Sequence, residues 1–128
     1  MNILTIIAVA SGGAIGATLR LLINSTVNKH FVNALPLGTL AVNLLGSFII
    51  GMLFAYFHLN TALSPHLKTF MITGILGALT TYSTFAIESF FLLEAGDYTH
   101  AFINMAFNLF GTILLAGVGY VLILNLHR

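Results

Sequence analysis

The chain has 128 residues, of which 59% are hydrophobic and only 5% are charged. Soluble proteins contain roughly 25% charged residues, so the four Lys or Arg and three Asp or Glu present here are too few to cover a soluble domain. The composition therefore predicts a single membrane domain over residues 1–128, with the lipid bilayer as its solvent. The net charge of +1 argues against nucleic acid as a partner, and no cysteine is present to form a disulfide.

Four apolar segments predict an all-α membrane protein with four transmembrane helices. Each segment is close to the ~20 residues that cross ~30 Å of hydrocarbon. A small-residue sequence at Ala8–Ala10 resembles a signal-peptide cleavage site, but no Lys or Arg precedes it, so we expect the segment to remain as a helix. Short connections favour antiparallel neighbours, with both termini on one side of the membrane. We place the helices at approximately 3–23, 37–57, 67–93 and 99–124.

Positive charges are almost evenly divided between the two predicted sides of the membrane. Lys68 and Arg128 lie on the side of the termini, whereas Lys29 and Arg20 lie on or near the opposite side. An excess of positive residues normally sets the orientation of a membrane protein. The sequence therefore leaves two possibilities open, one weakly favoured orientation or insertion in both. Two opposite orientations would allow an antiparallel, dual-topology homodimer.

A polar interruption distinguishes the third apolar segment from the others. Gly74 and Gly77 precede the run Thr80–Thr84, which holds four hydroxyl residues and a tyrosine in a segment that should otherwise face lipid. We expect this helix to be broken in mid-membrane near residues 75–81, because unwound backbone is tolerated there when it is buried in protein or lines a cavity. Carbonyl groups freed by such a break can bind a cation. The alternative is a kinked but continuous helix with Ser and Thr hydroxyls bonded to its backbone.

Three further polar residues share one face of the fourth segment. Asn104, Asn108 and Thr112 follow one another at intervals of four residues, a spacing that aligns side chains along a helix. The second segment carries a single amide, Asn43, among aliphatic residues. Amides within the membrane need partners, so these residues either line a polar pathway or join neighbouring helices.

Two ionisable residues, Arg20 and Glu88, lie within apolar segments. Arg20 is near the end of its helix, where it could extend to the interface or attract anions at a pore mouth. Glu88 is a candidate functional acid, with a structural hydrogen bond as the alternative. The histidines lie in loops or at the terminus without metal-ligand spacing. We expect no enzyme activity, because nucleophile–base, phosphate-loop and dinucleotide motifs are absent.

Three stretches, taken in order, resemble the Fluc (CrcB) family of fluoride channels. They are Gly12–Arg20, Pro36–Phe48 and Gly74–Phe85, the last followed by Glu88, and the resemblance covers nearly the whole chain. It implies passive, fluoride-selective conduction that exports fluoride across the bacterial cytoplasmic (inner) membrane and relieves its toxicity. It also implies an antiparallel, dual-topology homodimer with two pores, each built from both chains.

The resemblance also implies roles for individual residues. A structural Na⁺ at the dimer centre would be held by the backbone carbonyls of Gly77 and Thr80. Two positions depart from the family pattern, since Tyr82 replaces the first of two pore phenylalanines and Asn104 stands where tyrosine is common. The implied fluoride-pore residues are Asn43, Tyr82, Ser83, Thr84, Phe85, Asn104, Asn108 and Thr112.

Two other classes of protein share the composition. Small proton-coupled drug exporters also have four helices and few charges. Such exporters carry a glutamate in the first helix, whereas the first segment here contains no acid. A membrane scaffold without transport activity would use the aligned polar residues to hold its helices together. Ion flux by the purified protein would exclude the scaffold.

Overall fold

The computed structural model describes residues 1–128 and contains helices without any strand. Four helical spans are long and apolar enough to cross a membrane, which confirms the predicted all-α, four-span fold. We call them the first to fourth spans in chain order. Their bounds are Ile3–His30, Leu37–Leu59, Pro65–Glu94 and Tyr98–Leu126.

The first span continues to His30, beyond the end that we predicted at Ile23. The polar run remains helical because its amides bond to one another and to the next span. Asn28 Nδ2 donates to Asn24 Oδ1, one turn earlier. Asn28 Oδ1 accepts the backbone N–H of Gly38 at 3.0 Å. The loss of apolar character therefore marks the end of the hydrocarbon-facing part and not the end of the helix.

The third span is interrupted by two residues of extended backbone. Thr80 (φ −81°, ψ 153°) and Thr81 (φ −148°, ψ 109°) have extended backbone, and a helix begins again at Tyr82 and runs to Glu94. The helix before them contains a wide π-helical stretch. The three parts before Thr80 are α-helix Pro65–Thr69, π-helix Phe70–Leu76 and α-helix Gly77–Leu79.

The fourth span also contains a π-helical turn, Phe107–Gly111, between α-helices Tyr98–Ala106 and Thr112–Leu126. Such turns are rare and often occur at functional sites. This one includes Asn108, whose side chain is buried. Both irregular spans thus depart from α-helix at residues that the sequence marks as polar.

Close contact between backbones holds the spans in two pairs, the first with the third and the second with the fourth. A Cβ on Gly16 would collide with the carbonyl oxygen of Ile75, and a Cβ on Gly51 with that of Ala116. Helices in lipid associate by van der Waals packing, which small residues improve by allowing close approach. The two pairs bring the extended residues of the third span against the middle of the second.

Candidate functional site

Asn43 binds both backbone polar groups of the extended residue Thr81. Its Oδ1 accepts the Thr81 N–H at 2.8 Å, and its Nδ2 donates to the Thr81 carbonyl at 3.1 Å. Both residues are buried, where an unpaired backbone group would be costly. The amide of Asn43 thus replaces the hydrogen bonds that a continuous helix would have supplied.

Two carbonyl groups in the third span lose their helical donors at this point. In an α-helix each carbonyl accepts from the N–H four residues later. The N–H that would serve Gly77 belongs to Thr81 and is bound to Asn43. The N–H that would serve Thr80 belongs to Thr84 and donates to Thr81 Oγ1 at 3.3 Å. Gly77 and Thr80 therefore carry carbonyl oxygens without their helical donors, and such oxygens suit a hard cation.

A continuous row of amides extends from Asn43 into the fourth span. Asn43 Nδ2 donates to Asn108 Oδ1 at 2.8 Å. Asn108 Nδ2 donates to both the side-chain and backbone oxygens of Asn104, each at 3.0 Å. Asn104 Nδ2 then donates to Ser89 Oγ at 3.0 Å, and Ser89 donates to the carbonyl of Phe85 at 2.8 Å. We call Asn43, Asn108 and Asn104 the amide row; it joins the second, third and fourth spans.

A recess of about 270 Å³ opens beside the amide row. Asn43 and Asn108 lie in its wall, whereas Asn104 is fully buried behind them. No Lys, Arg, Asp or Glu lines the recess. It is therefore a site of uncharged hydrogen-bonding groups beside aromatic rings. Its other polar or aromatic lining residues are Ser47, Thr80, Thr81, Tyr82, Phe85 and Thr112.

Two aromatic rings line the recess. The ring centroids of Tyr82 and Phe85 are 5.4 Å apart with an interplanar angle of 72°, an edge-to-face arrangement. Tyr82 is 80% exposed, and the neighbouring Ser83 is also exposed. Aromatic edges carry partial positive charge. The wall of the recess therefore includes two aromatic rings whose edges could face an anion, whereas Ser83 is exposed and does not line the recess.

A second polar cavity, of about 450 Å³, surrounds Arg20. Arg20 forms no ion pair within the chain, so its charge is not neutralised by an acid. Thr81 lines this cavity as well as the recess, and Thr84 lies beside it. The unpaired positive charge of Arg20 thus lies in a cavity that shares Thr81 with the uncharged recess.

Glu88 lies apart from the recess and contacts the second span. Its Oε1 accepts a hydrogen bond from Thr39 Oγ1 at 2.8 Å, whereas its buried Oε2 has no hydrogen-bond partner. Glu88 lines a separate cleft of about 420 Å³ with the loop that follows the first span and with Phe91. Thr39 precedes Asn43 by one turn, so both face the third span.

The structure gathers most of the predicted site residues but separates some. Arg20 and Thr84 line one cavity, and Glu88 lines another. Asn104 does not line the recess and is joined to it through its hydrogen bond from Asn108. Residues of the recess that the sequence singled out are Asn43, Gly77, Thr80, Tyr82, Phe85, Asn108 and Thr112.

Four hydroxyl residues at these sites received no role from the sequence. Thr39 and Ser47 each lie one turn from Asn43, on either side of it, which is a signal that a search for polar residues at four-residue spacing would have found. Ser89 follows Glu88 directly. Thr81 belongs to the polar run but acts mainly through its backbone, which no side-chain pattern indicates.

The sequence model of a family described as "CrcB-like protein, Camphor Resistance (CrcB)" matches residues 7–120. The chain belongs to this family. It is 54% identical to the fluoride-specific ion channel FluC of Sulfurimonas denitrificans, over 93% of this chain and 92% of that protein. Proteins of the same name from Campylobacter jejuni and Aquifex aeolicus are 48% and 46% identical to it, each over more than nine-tenths of both chains.

Membership of the CrcB family confirms the resemblance found in the sequence. Together with the four apolar spans, it makes the chain an integral membrane protein. The relatives are named as ion channels, which are transport proteins and not enzymes. The expectation that the chain is not an enzyme is therefore confirmed.

Proposed function

We propose that the chain is a fluoride-selective, passive ion channel that exports fluoride across the bacterial inner membrane and so relieves its toxicity. The observation that carries the proposal is the uncharged recess, in which amides, hydroxyls and two aromatic rings meet. The names of the CrcB relatives support the choice of ion.

The lining of the recess suits a small, strongly hydrated anion. Amide and hydroxyl groups can donate hydrogen bonds that replace water, and ring edges add weak positive potential. The absence of Lys and Arg from the lining avoids tight trapping, because conduction needs an ion to leave as well as to enter. We assign to the pathway Asn43, Tyr82, Ser83, Thr84, Phe85, Asn104, Asn108 and Thr112.

Charged residues take a supporting part in this proposal. Arg20, without an acidic partner, would raise the local concentration of anions in its cavity before they pass Thr81 and Thr84. Glu88 would secure the third span to the second through its hydrogen bond from Thr39. The pathway between them would contain no fixed charge.

The working unit in this proposal is an antiparallel, dual-topology homodimer with two pores. Three observations support it: the even division of positive residues in the sequence, the exposure of Tyr82, and the open side of the recess on a single chain. A second chain packed against this side would cover the exposed ring. Each pore would then have walls from both chains.

A structural Na⁺ between the two chains also belongs to the proposal. The fit rests on the carbonyl oxygens of Gly77 and Thr80, which have lost their helical donors. Two such oxygens from each chain would give a dimer four oxygen ligands, the type that sodium accepts from unwound membrane helices. When bound, the ion would supply a fixed positive field and link the third spans in mid-membrane.

Fluoride efflux from proteoliposomes, followed with a fluoride electrode, tests the function. We expect rapid efflux of fluoride and negligible efflux of chloride from identical vesicles. Equal flux of the two anions would contradict selectivity. No flux from protein that is folded and dimeric would contradict the channel itself.

A further inference from the structure

The amide row has a definite hydrogen-bond direction. A side-chain amide has an oxygen that accepts and a nitrogen that donates, so its orientation is set by what its neighbours require. A backbone N–H can only donate, and therefore Asn43 must turn Oδ1 toward Thr81. Its Nδ2 then faces both the Thr81 carbonyl and Asn108. The backbone of Thr81 thus dictates one end of the row.

The other end of the row requires the same direction. Asn108 must turn Oδ1 toward Asn43, which leaves its Nδ2 facing Asn104. There it meets the backbone carbonyl of Asn104, which can only accept. If Asn108 were reversed, its oxygen would face that carbonyl and its nitrogen would face the nitrogen of Asn43. The Thr81 N–H in the third span and the Asn104 carbonyl in the fourth therefore require the same orientation of the Asn43 and Asn108 amides.

The Asn104 carbonyl lies at the start of the π-helical turn of the fourth span. In a π-turn the backbone N–H bonds five residues back instead of four. The carbonyl of Asn104 accepts both the backbone N–H of Phe107 and the side chain of Asn108, where the turn Phe107–Gly111 begins. The irregular backbone of the fourth span and that of the third are joined by the amide row.

We propose that Asn108 and Asn104, besides their place in the proposed pathway, are positioning residues that fix the orientation of Asn43 and, through it, the extended backbone at Thr80 and Thr81. Both hydrogens of Asn43 Nδ2 already have acceptors within the chain, Thr81 O and Asn108 Oδ1. An anion at Asn43 would have to share one of them. The effect on transport rests on the proposed channel function, whereas the positioning itself does not.

Exchange of the Asn43 side-chain amide hydrogens tests the positioning directly. The full chain, labelled with ¹⁵N-asparagine and solubilised in detergent, gives separate signals for each amide, and substitution of Asn43 assigns its own. In Asn108→Leu, which keeps the approximate size but removes both polar groups, we expect exchange at Asn43 to be about tenfold faster, as the loss of a hydrogen bond implies. Asn125→Leu, an exposed amide in the same span, is the matched control and should leave Asn43 unchanged.

Fluoride efflux gives the second measurement. We expect Asn108→Leu and Asn104→Leu to slow efflux by about tenfold, because each removes a hydrogen bond that holds Asn43 and the Thr81 backbone in place. Asn108→Ser keeps a donor and an acceptor and should restore part of both the exchange protection and the efflux. If efflux is absent already in the unsubstituted protein, the channel proposal fails while the exchange experiment still decides the positioning.

Two results would overturn the positioning role. One is unchanged exchange at Asn43 in both Asn108→Leu and Asn104→Leu. The other concerns Ser89→Ala, a small substitution that removes the acceptor of Asn104 and serves if the leucine variants do not fold. We expect faster exchange at the Asn43 amide as well as at Asn104 in this variant, and an unchanged rate at Asn43 would show that the row does not act as a unit.

Discussion

Two regions of the molecule hold helices together by opposite means. Around Thr80 and Thr81 the backbone is extended, and buried side-chain amides supply its hydrogen bonds. Around Gly51 the second and fourth spans are regular, and backbone atoms touch without any polar side chain between them. In this comparison, polar side chains join the spans where the backbone leaves the helix, and small residues join them where the helices stay regular. Substitutions in the two regions should therefore have different consequences for transport and for stability.

The largest effect on transport is expected from Phe85→Ile. The substitution keeps an apolar side chain but removes the ring edge that pairs with Tyr82. Fluoride efflux should fall to background while the protein elutes from size-exclusion chromatography as the parent protein does. Phe90→Ile, an exposed phenylalanine on the same helix, is the matched control and should conduct normally. Normal flux in Phe85→Ile would remove this residue from the pathway.

Asn43→Leu should damage both transport and stability. It leaves the N–H and carbonyl of Thr81 buried without partners, at a cost of about 1–3 kcal/mol for each group. We expect a lower midpoint of thermal unfolding and loss of fluoride efflux. Asn125→Leu should change neither quantity, because this amide is exposed. An unfolding midpoint equal to that of the parent protein would show that the hydrogen bonds from Asn43 to Thr81 are not needed for stability.

Two glycine substitutions separate the regions. A Cβ on Gly46 would meet the Thr80 side chain, whereas a Cβ on Gly51 would meet the backbone of Ala116. Gly46→Ala should reduce fluoride efflux per amount of folded protein by disturbing the extended segment. Gly51→Ala should lower the free energy of unfolding by about 1–3 kcal/mol and leave the efflux of the folded fraction intact. Gly117→Ala, with open space around it, is the control for both. Equal effects of the first two on efflux would contradict the division.

The smallest effect is expected from Tyr82→Phe. The ring edge and its contact with Phe85 remain, and only the hydroxyl is lost. Fluoride efflux should stay close to that of the parent protein. A severe loss would show that the hydroxyl itself matters for transport.

Composition and apolar length were enough to predict the four spans, because a bilayer requires about 20 apolar residues for each crossing. The end of the first span could not be predicted in the same way. Asn24 and Asn28 interrupt the apolar pattern, yet their side chains bond within the helix and to Gly38, so the helix continues to His30. Hydrophobicity marks contact with lipid, whereas these hydrogen bonds decide where the helix stops.

The candidate site was only partly visible in the sequence. Spacing alone placed Asn104, Asn108 and Thr112 on one face, and the polar run drew attention to the residues around Thr80. The partners of these groups depend on which spans are neighbours and how deeply they meet. Contacts between spans produce the hydrogen bonds from Asn43 to the Thr81 backbone and accompany the π-helical turn at Asn108. No local sequence pattern indicates either feature.

Anion flux through the purified, reconstituted protein tests the central claim most directly. Vesicles loaded with equal concentrations of fluoride and chloride should release fluoride rapidly and retain chloride. Phe85→Ile protein in the same vesicles should release neither anion. Release of both anions at similar rates, or of neither by the folded parent protein, would contradict the account.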